Sequence, residues 1–159
     1  MESPTLSQPT ARPIRVVPPV YLLAAVILML LLHRFAPVRQ LIQWPWRWIG
    51  VAVIVGGLAF GFSAVALFRR HRTPLRPGQA SSSLVDSGPF RVTRNPIYVG
   101  MTIALAGVAV LLGSLTPWAV VPLFVLVINR NVIPLEERML LGAFGEEYTR
   151  YQARVRRWI

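Results

Sequence analysis

Four apolar runs set the pattern of the chain: Val16 to Leu32, Trp48 to Phe68, Ile97 to about Leu115, and Trp118 to Ile128, the last fading toward Ile133. A helix needs about 20 residues to cross the hydrocarbon layer, so the second run is long enough and the first and fourth are at the short end. Pro18 and Pro19 suit the first turn of the first helix, where a missing N–H costs nothing. Only Gly113-Ser114-Leu115-Thr116-Pro117 separates the third run from the fourth. That spacing predicts a tight helical hairpin, with Pro117 starting the last helix. Pro122 removes the N–H that would bond to the Trp118 carbonyl and predicts a kink. The whole reads as an all-α integral membrane bundle of four transmembrane helices. Residues 1–15 form a polar, disordered tail, residues 16–68 the first two transmembrane helices, and residues 69–159 a core made of a loop, the hairpin and C-terminal helices.

Two polar segments interrupt the pattern: Arg69 to Asn95, and the tail from Asn129 to Ile159. In the tail, Pro134 to Phe144 predicts a helix that Gly145 breaks. Beyond it Tyr148, Tyr151, Val155 and Trp158 recur near helical spacing. They predict a second, amphipathic helix lying on the membrane surface.

Composition sharpens the membrane reading. Charged residues are 14% of the chain and hydrophobic residues 54%, against about a quarter charged in soluble domains. All 17 basic residues are Arg, and they cluster at the ends of the apolar runs, where anionic lipid attracts them. Partners are therefore membrane lipids and not nucleic acid. With the N-terminus inside, fourteen Arg fall on inner segments and three (Arg34, Arg39, Arg47) on the first outer loop. This predicts an integral membrane protein with both termini cytoplasmic, in a bacterial inner membrane, with Trp44, Trp46 and Trp48 anchoring the outer interface. Cys is absent and only His33 and His71 are present, so no metal site is expected. Gly57 and Gly61 form a GxxxG, joined by Gly56; the small face serves either internal packing or a homodimer.

Chemistry gathers on the inner segments. Gly88-Pro89-Phe90-Arg91-Val92-Thr93-Arg94-Asn95-Pro96-Ile97-Tyr98-Val99-Gly100 leads into the third helix, with Asn95 as N-cap and Pro96 as first helical residue. A helix start beside Arg side chains suits an anion. The second motif is Glu136-Glu137 with Leu140, Phe144-Gly145, Tyr148 and Tyr151. Two adjacent carboxylates beside a bilayer are costly unless solvated or paired. Glu146 is placed to pair with Arg150 at i,i+4.

Together, in this order and separated by one hairpin, the two motifs cover about residues 83–157. They resemble the isoprenylcysteine carboxyl methyltransferase and phospholipid N-methyltransferase family of integral membrane enzymes. The resemblance implies transfer of a methyl group from S-adenosylmethionine to a lipophilic acceptor. It implies cofactor contacts at Leu84, Val85, Phe90, Asn95, Pro96, Tyr98 and Glu136, with Arg94 and Glu137 as close neighbours. Asn95 stands where the family more often has His. On this reading Glu136 takes the cofactor's amino or ribose groups. The amides from Asn95 to Ile97 and the Arg94 side chain suit its carboxylate, and Phe90 and Tyr98 pack on the adenosine. Arg130, at the inner end of the fourth run, is placed to grip an anionic acceptor. Arg94, Glu137 and Arg130 are therefore the candidate catalytic residues. A non-catalytic scaffold or degenerate relative is the rival reading; a transporter is disfavoured because no run carries an ionisable residue near its middle.

Overall fold

The computed structural model describes residues 18–70 and 84–159. The N-terminal tail and residues 71–83 of the Arg69–Asn95 loop lie outside the described residues. Six α-helices follow in order: α1 (Pro18–Phe35), α2 (Ile49–Arg70), α3 (Pro96–Leu112), α4 (Val120–Asn131), α5 (Ile133–Phe144) and α6 (Glu146–Arg154). Short 3-10 turns at Trp46–Trp48, Gly88–Arg91 and Thr116–Ala119 lead into α2, the α3 entry and α4. Among the described residues, three stretches are long and apolar enough to cross a membrane: Pro18–Phe35, Trp46–Arg69 and Thr116–Phe144. α3 is the shorter apolar helix of the set, 17 residues, or about 25 Å at the α-helical rise. The protein is an integral membrane protein of all-helical architecture.

α2 and α3 are the closest-packed pair, and glycine is the reason. A Cβ on Gly100 would sit 2.5 Å from the Gly57 carbonyl oxygen, and one on Gly107 would sit 2.7 Å from the Ile54 nitrogen and 2.8 Å from the Gly50 carbonyl oxygen. Backbone meets backbone along this seam, as small-residue stripes permit. The Gly57/Gly61 face is thus occupied internally by α3; a homodimer through these two glycines would have to displace that helix. Gly56 has nothing within 4 Å of its would-be Cβ and does not belong to the seam.

The α3–α4 hairpin turns at Gly113, whose φ of +76° is left-handed, a conformation that glycine adopts without a Cβ penalty. The α1–α2 connection is tied to this hairpin. The Gly113 carbonyl accepts from the Leu41 and Ile42 amides at 2.7 and 3.0 Å, and Leu115 N–H donates to the Arg39 carbonyl at 2.8 Å. His33 Nδ1 and the buried Ser114 Oγ share a hydrogen bond at 2.7 Å. Trp44, Trp46 and Trp48 stand exposed at this end. Pro122 is the third residue of α4. It lies in the first turn of α4, where N–H groups have no intrahelical acceptor to lose. The break comes instead at Val132, between α4 and α5.

Two apolar clusters hold the bundle. One joins Ala25 and Met29 of α1, Tyr98, Leu105 and Ala109 of α3, and Val120, Phe124 and Ile128 of α4, with Val132 and Ile133 below. The other gathers Ala64 of α2 with Val85, Phe90, Tyr148 and Tyr151. Tyr148 and Tyr151 of α6 are therefore buried on protein rather than laid on a membrane surface. The helix also ends sooner than its sequence period predicts: it stops at Arg154, and Val155 is extended at φ −122°, ψ 132°. Glu146 and Arg150 are both exposed and form no ion pair with each other.

Candidate functional site

The start of α3 and the start of α5 meet at one end of the bundle. Tyr98, one turn into α3, donates its hydroxyl to Glu136 Oε1 at 2.6 Å. Glu136 is partly buried, and its second oxygen accepts no hydrogen bond among the described residues. Glu137 points to a different pair of neighbours. Its Oε1 lies 3.2 Å from Arg94 Nη1, in ion-pair range. Arg157 grips both of its oxygens, Nε donating to Oε1 at 3.0 Å and Nη2 to Oε2. This fork is the geometry that makes an Arg–carboxylate pair strong. The two adjacent carboxylates are thus separated by function: one is held by a phenol, the other by two guanidiniums.

The C-terminal segment, which the sequence pattern read as the end of an amphipathic helix, completes the site. Residues 155–159 run back beside residues 93–95. Arg94 N–H donates to the Arg156 carbonyl at 2.9 Å. The Arg157 carbonyl accepts from Thr93 Oγ1 at 3.1 Å and from Asn95 Nδ2 at 2.9 Å. Asn95 occupies the N-cap position of α3 but makes no side-chain cap bond; its amide holds the tail instead. Thr93 Oγ1 accepts from Asn95 N–H at 3.1 Å. On α4, Asn129 Oδ1 accepts from Arg157 Nη1 and from Trp158 Nε1, both at 3.3 Å. Thr93, Asn129, Arg157 and Trp158 are the site residues that sequence reasoning missed.

Leu84, Val85 and Phe90 belong to the second cluster, beside α6. Phe90 packs edge-on against Phe68, ring centres 5.0 Å apart at 74°, and its carbonyl accepts the Tyr151 hydroxyl at 2.8 Å. Pro96 is fully buried. Burial raises the Tyr148 phenol, with the Glu137 carboxylate adding to the rise. Burial likewise raises Tyr151. Hydrogen bonding to Glu137 raises the Arg157 guanidinium further. Arg130 is exposed and does not join Arg94 at the site.

An open-sided groove of about 790 Å³ runs from this junction along α4, lined by Val121, Pro122, Val125, Leu126 and Asn129, with Arg94, Arg157 and Trp158 at one end. Arg94 Nε and Nη1 are both buried; Nη1 faces Glu137 Oε1 in the ion pair, and Nε has no hydrogen-bond partner among the described residues. Among the described residues no group of three or more His, Asp or Glu side chains is placed to hold a metal ion.

Residues 46–147, well over half the chain, match the phospholipid methyltransferase family model. The chain belongs to the phospholipid methyltransferase family. It resembles in fold the eukaryotic intramembrane Ras methyltransferase ICMT (isoprenylcysteine carboxyl methyltransferase), with a TM-score of 0.63 and 24% identity, over 86% of this chain and 50% of that one. An uncharacterised protein of Haemophilus influenzae is 40% identical over 63 residues, which is 40% of this chain and all of that protein. The cobalt-zinc-cadmium resistance protein CzcN of Cupriavidus metallidurans is 30% identical over 68% of this chain and 50% of its own length. The nickel-cobalt-cadmium resistance protein NccN of Alcaligenes xylosoxydans is 28% identical over 65% of this chain and 48% of its own. The chain spans about half the length of ICMT and of the two metal-resistance proteins.

Proposed function

We propose that the chain is a methyltransferase that uses S-adenosylmethionine to methylate a lipophilic acceptor, with its cofactor site at the end of the bundle where α3 and α5 begin. The observation that supports this most is the Tyr98–Glu136 contact, because it joins the two motifs, 38 residues apart in sequence, at one end of the bundle. The residues there fit the cofactor on two counts. Glu136 keeps an oxygen for an ammonium or ribose hydroxyl. Asn95 leaves α3 without a side-chain cap, so the first-turn N–H groups, at the positive end of the helix dipole, suit a carboxylate. Val85, Leu84 and Phe90 supply an apolar wall on the other side.

S-adenosylmethionine supplies an activated methyl group on a sulfonium when bound. The chain's own work is alignment and exclusion of water, which contribute roughly 7–11 kcal/mol in such displacements. Tyr98 fixes the Glu136 carboxylate through its hydroxyl. The Arg157–Glu137–Arg94 array fixes the tail against the α3 entry. The acceptor reaches this point laterally, along the apolar side of α4. Its access from the bilayer fits a site facing the cytoplasm, the side the Arg distribution favours.

Titration calorimetry on the purified full chain in neutral detergent tests the cofactor site. Binding of S-adenosylmethionine at micromolar affinity or better, weakened at least tenfold or so by Glu136→Ala, is expected. Absence of binding heat in the wild type would remove the reading.

A further inference from the structure

We infer that the end of the bundle remote from the α3 and α5 starts is a docking surface for the head groups of anionic phospholipids, formed by Arg34, Arg39 and Arg47 set among Trp44, Trp46 and Trp48. The inference does not depend on the methyltransferase reading.

Three observations carry it. First, this surface lies at head-group depth. The three stretches able to cross a membrane begin or end here, at Phe35, Trp46 and Thr116. Trp, with an apolar ring and one N–H, favours that layer. Second, the α1–α2 connection is held in one shape while its apolar side chains stay uncovered. Three consecutive hairpin residues bond to it or to the end of α1: Gly113 through the Leu41 and Ile42 amides, Ser114 through His33, and Leu115 through the Arg39 carbonyl. Thr116 Oγ1 adds a bond to the Ala36 carbonyl at 2.7 Å. Yet Phe35, Val38, Trp44, Trp46 and Trp48 are each more than 60% exposed. An exposed apolar patch of this kind marks an interaction surface. Third, its charge is of one sign. No Asp or Glu occurs between Glu2 and Asp86, or between Asp86 and Glu136. Among the described residues none of the three Arg forms an ion pair. Arg47 is held in place: its Nε donates to the Ile42 carbonyl at 2.9 Å, and the Gln40 amide donates to the same oxygen at 3.2 Å. Its two Nη groups make no hydrogen bond among the described residues. Guanidinium donors left in this way match a phosphodiester.

Charge complementarity selects the occupant. A second copy of the chain would bring the same three Arg to the face and be repelled. A zwitterionic head carries an ammonium beside its phosphate, which these Arg disfavour. An anionic phospholipid offers the phosphate without the ammonium, and its acyl chains can lie along exposed α1 side chains such as Ile27 and Leu31.

Tryptophan quenching of the full chain in phosphatidylcholine vesicles tests the inference. The vesicles carry a fixed share of acyl-brominated lipid, either phosphatidylglycerol or phosphatidylcholine. Of the five Trp, only Trp158 lies at the other end of the chain's fold, so the signal reports the lipid beside this surface. A preference of about fivefold for phosphatidylglycerol is expected, roughly the worth of one Arg at an anionic surface. The pair Arg34→Gln and Arg39→Gln, whose side chains take no part in holding the connection, should lower the preference without changing the melting temperature. Adding Arg47→Gln should abolish it. The pair Arg138→Gln and Arg150→Gln, at exposed positions on α5 and α6, should leave it unchanged. Equal quenching by the two lipids, an unchanged preference in the triple variant, or an equal loss in the α5 and α6 pair would overturn the inference. Relief of the preference by millimolar inorganic phosphate would overturn it in favour of a soluble anion. A dimer in detergent that Trp44→Ala dissociates, without any lipid preference, would give the face to a second copy instead.

Discussion

Glu137→Gln is the substitution with the clearest structural consequence. It is nearly isosteric and removes the negative charge that Arg94 and Arg157 share. The Arg94 and Glu137 side chains are each 13% exposed, and that of Arg157 is 36% exposed. Breaking a fully buried ion pair costs about 3–5 kcal/mol, whereas an exposed one contributes about 0–1 kcal/mol. The Arg94 side of the array belongs with the first group, and the Arg157 side must be discounted toward the second. An overall cost of about 2–3 kcal/mol follows. For a chain of this size about 2–4 °C of melting temperature corresponds to each kcal/mol, so a fall of roughly 5–10 °C is expected. Differential scanning fluorimetry in detergent reads it, with Asp86→Asn as control. Asp86 pairs with Arg154 at 3.5 Å, but both side chains are more than half exposed, and the control should move the melting temperature by about 1–2 °C at most. Equal small shifts for the two variants would refute the claim that Glu137 organises this end of the bundle.

Other expectations follow from the same geometry. Gly100→Ala places a Cβ 2.5 Å from the Gly57 carbonyl and should lower the melting temperature by several degrees, as overpacking costs about 1–3 kcal/mol; Gly56→Ala, with open space around it, should be neutral or slightly stabilising. Asn95→Ala removes the bond to the Arg157 carbonyl and should raise hydrogen exchange in residues 155–159 well above wild type, while Thr93 still holds that carbonyl. Tyr148 and Tyr151 have phenols raised by burial. A raised folded value means the folded state holds its proton more tightly. Their stabilising contribution is therefore complete below about pH 10, the unfolded value, and is lost as the pH rises beyond it. Tyr151→Phe should flatten that alkaline loss in a pH series of thermal melts.

The apolar runs and the hairpin were readable because membrane helices announce themselves by length and hydropathy, and Gly113 and Pro117 punctuate the turn unambiguously. The meeting of the two motifs was readable too, since an antiparallel hairpin returns the chain to the end it left. What was hidden is tertiary. Tyr148 and Tyr151, three residues apart, look the same in a helix lying on lipid as in one packed on Phe90; only the partner distinguishes them. Val155 and Trp158 extend the helical period, yet the chain leaves the helix at Arg154, because the backbone groups of residues 156 and 157 pair with Arg94, Thr93 and Asn95. That competition is not visible in local sequence. Arg157 was one of several tail arginines, indistinguishable by charge from the exposed Arg130. Gly56 and Gly57 are neighbours of equal size, and only the helix rotation set by Gly100 and Gly107 selects Gly57 for the seam. Asn95, which stands where the family more often has His, also holds the tail through its side-chain amide, a role its local sequence does not show.

Transfer of isotopically labelled methyl from S-adenosylmethionine into a membrane lipid extract tests the central claim most directly. The account predicts protein-dependent label in the organic phase, carried by a lipophilic acceptor that mass spectrometry resolves, and a loss of at least about tenfold with Glu136→Ala. Label no higher than in the protein-free control, from protein that still binds the cofactor, would contradict the account and leave the chain a non-catalytic member of its family.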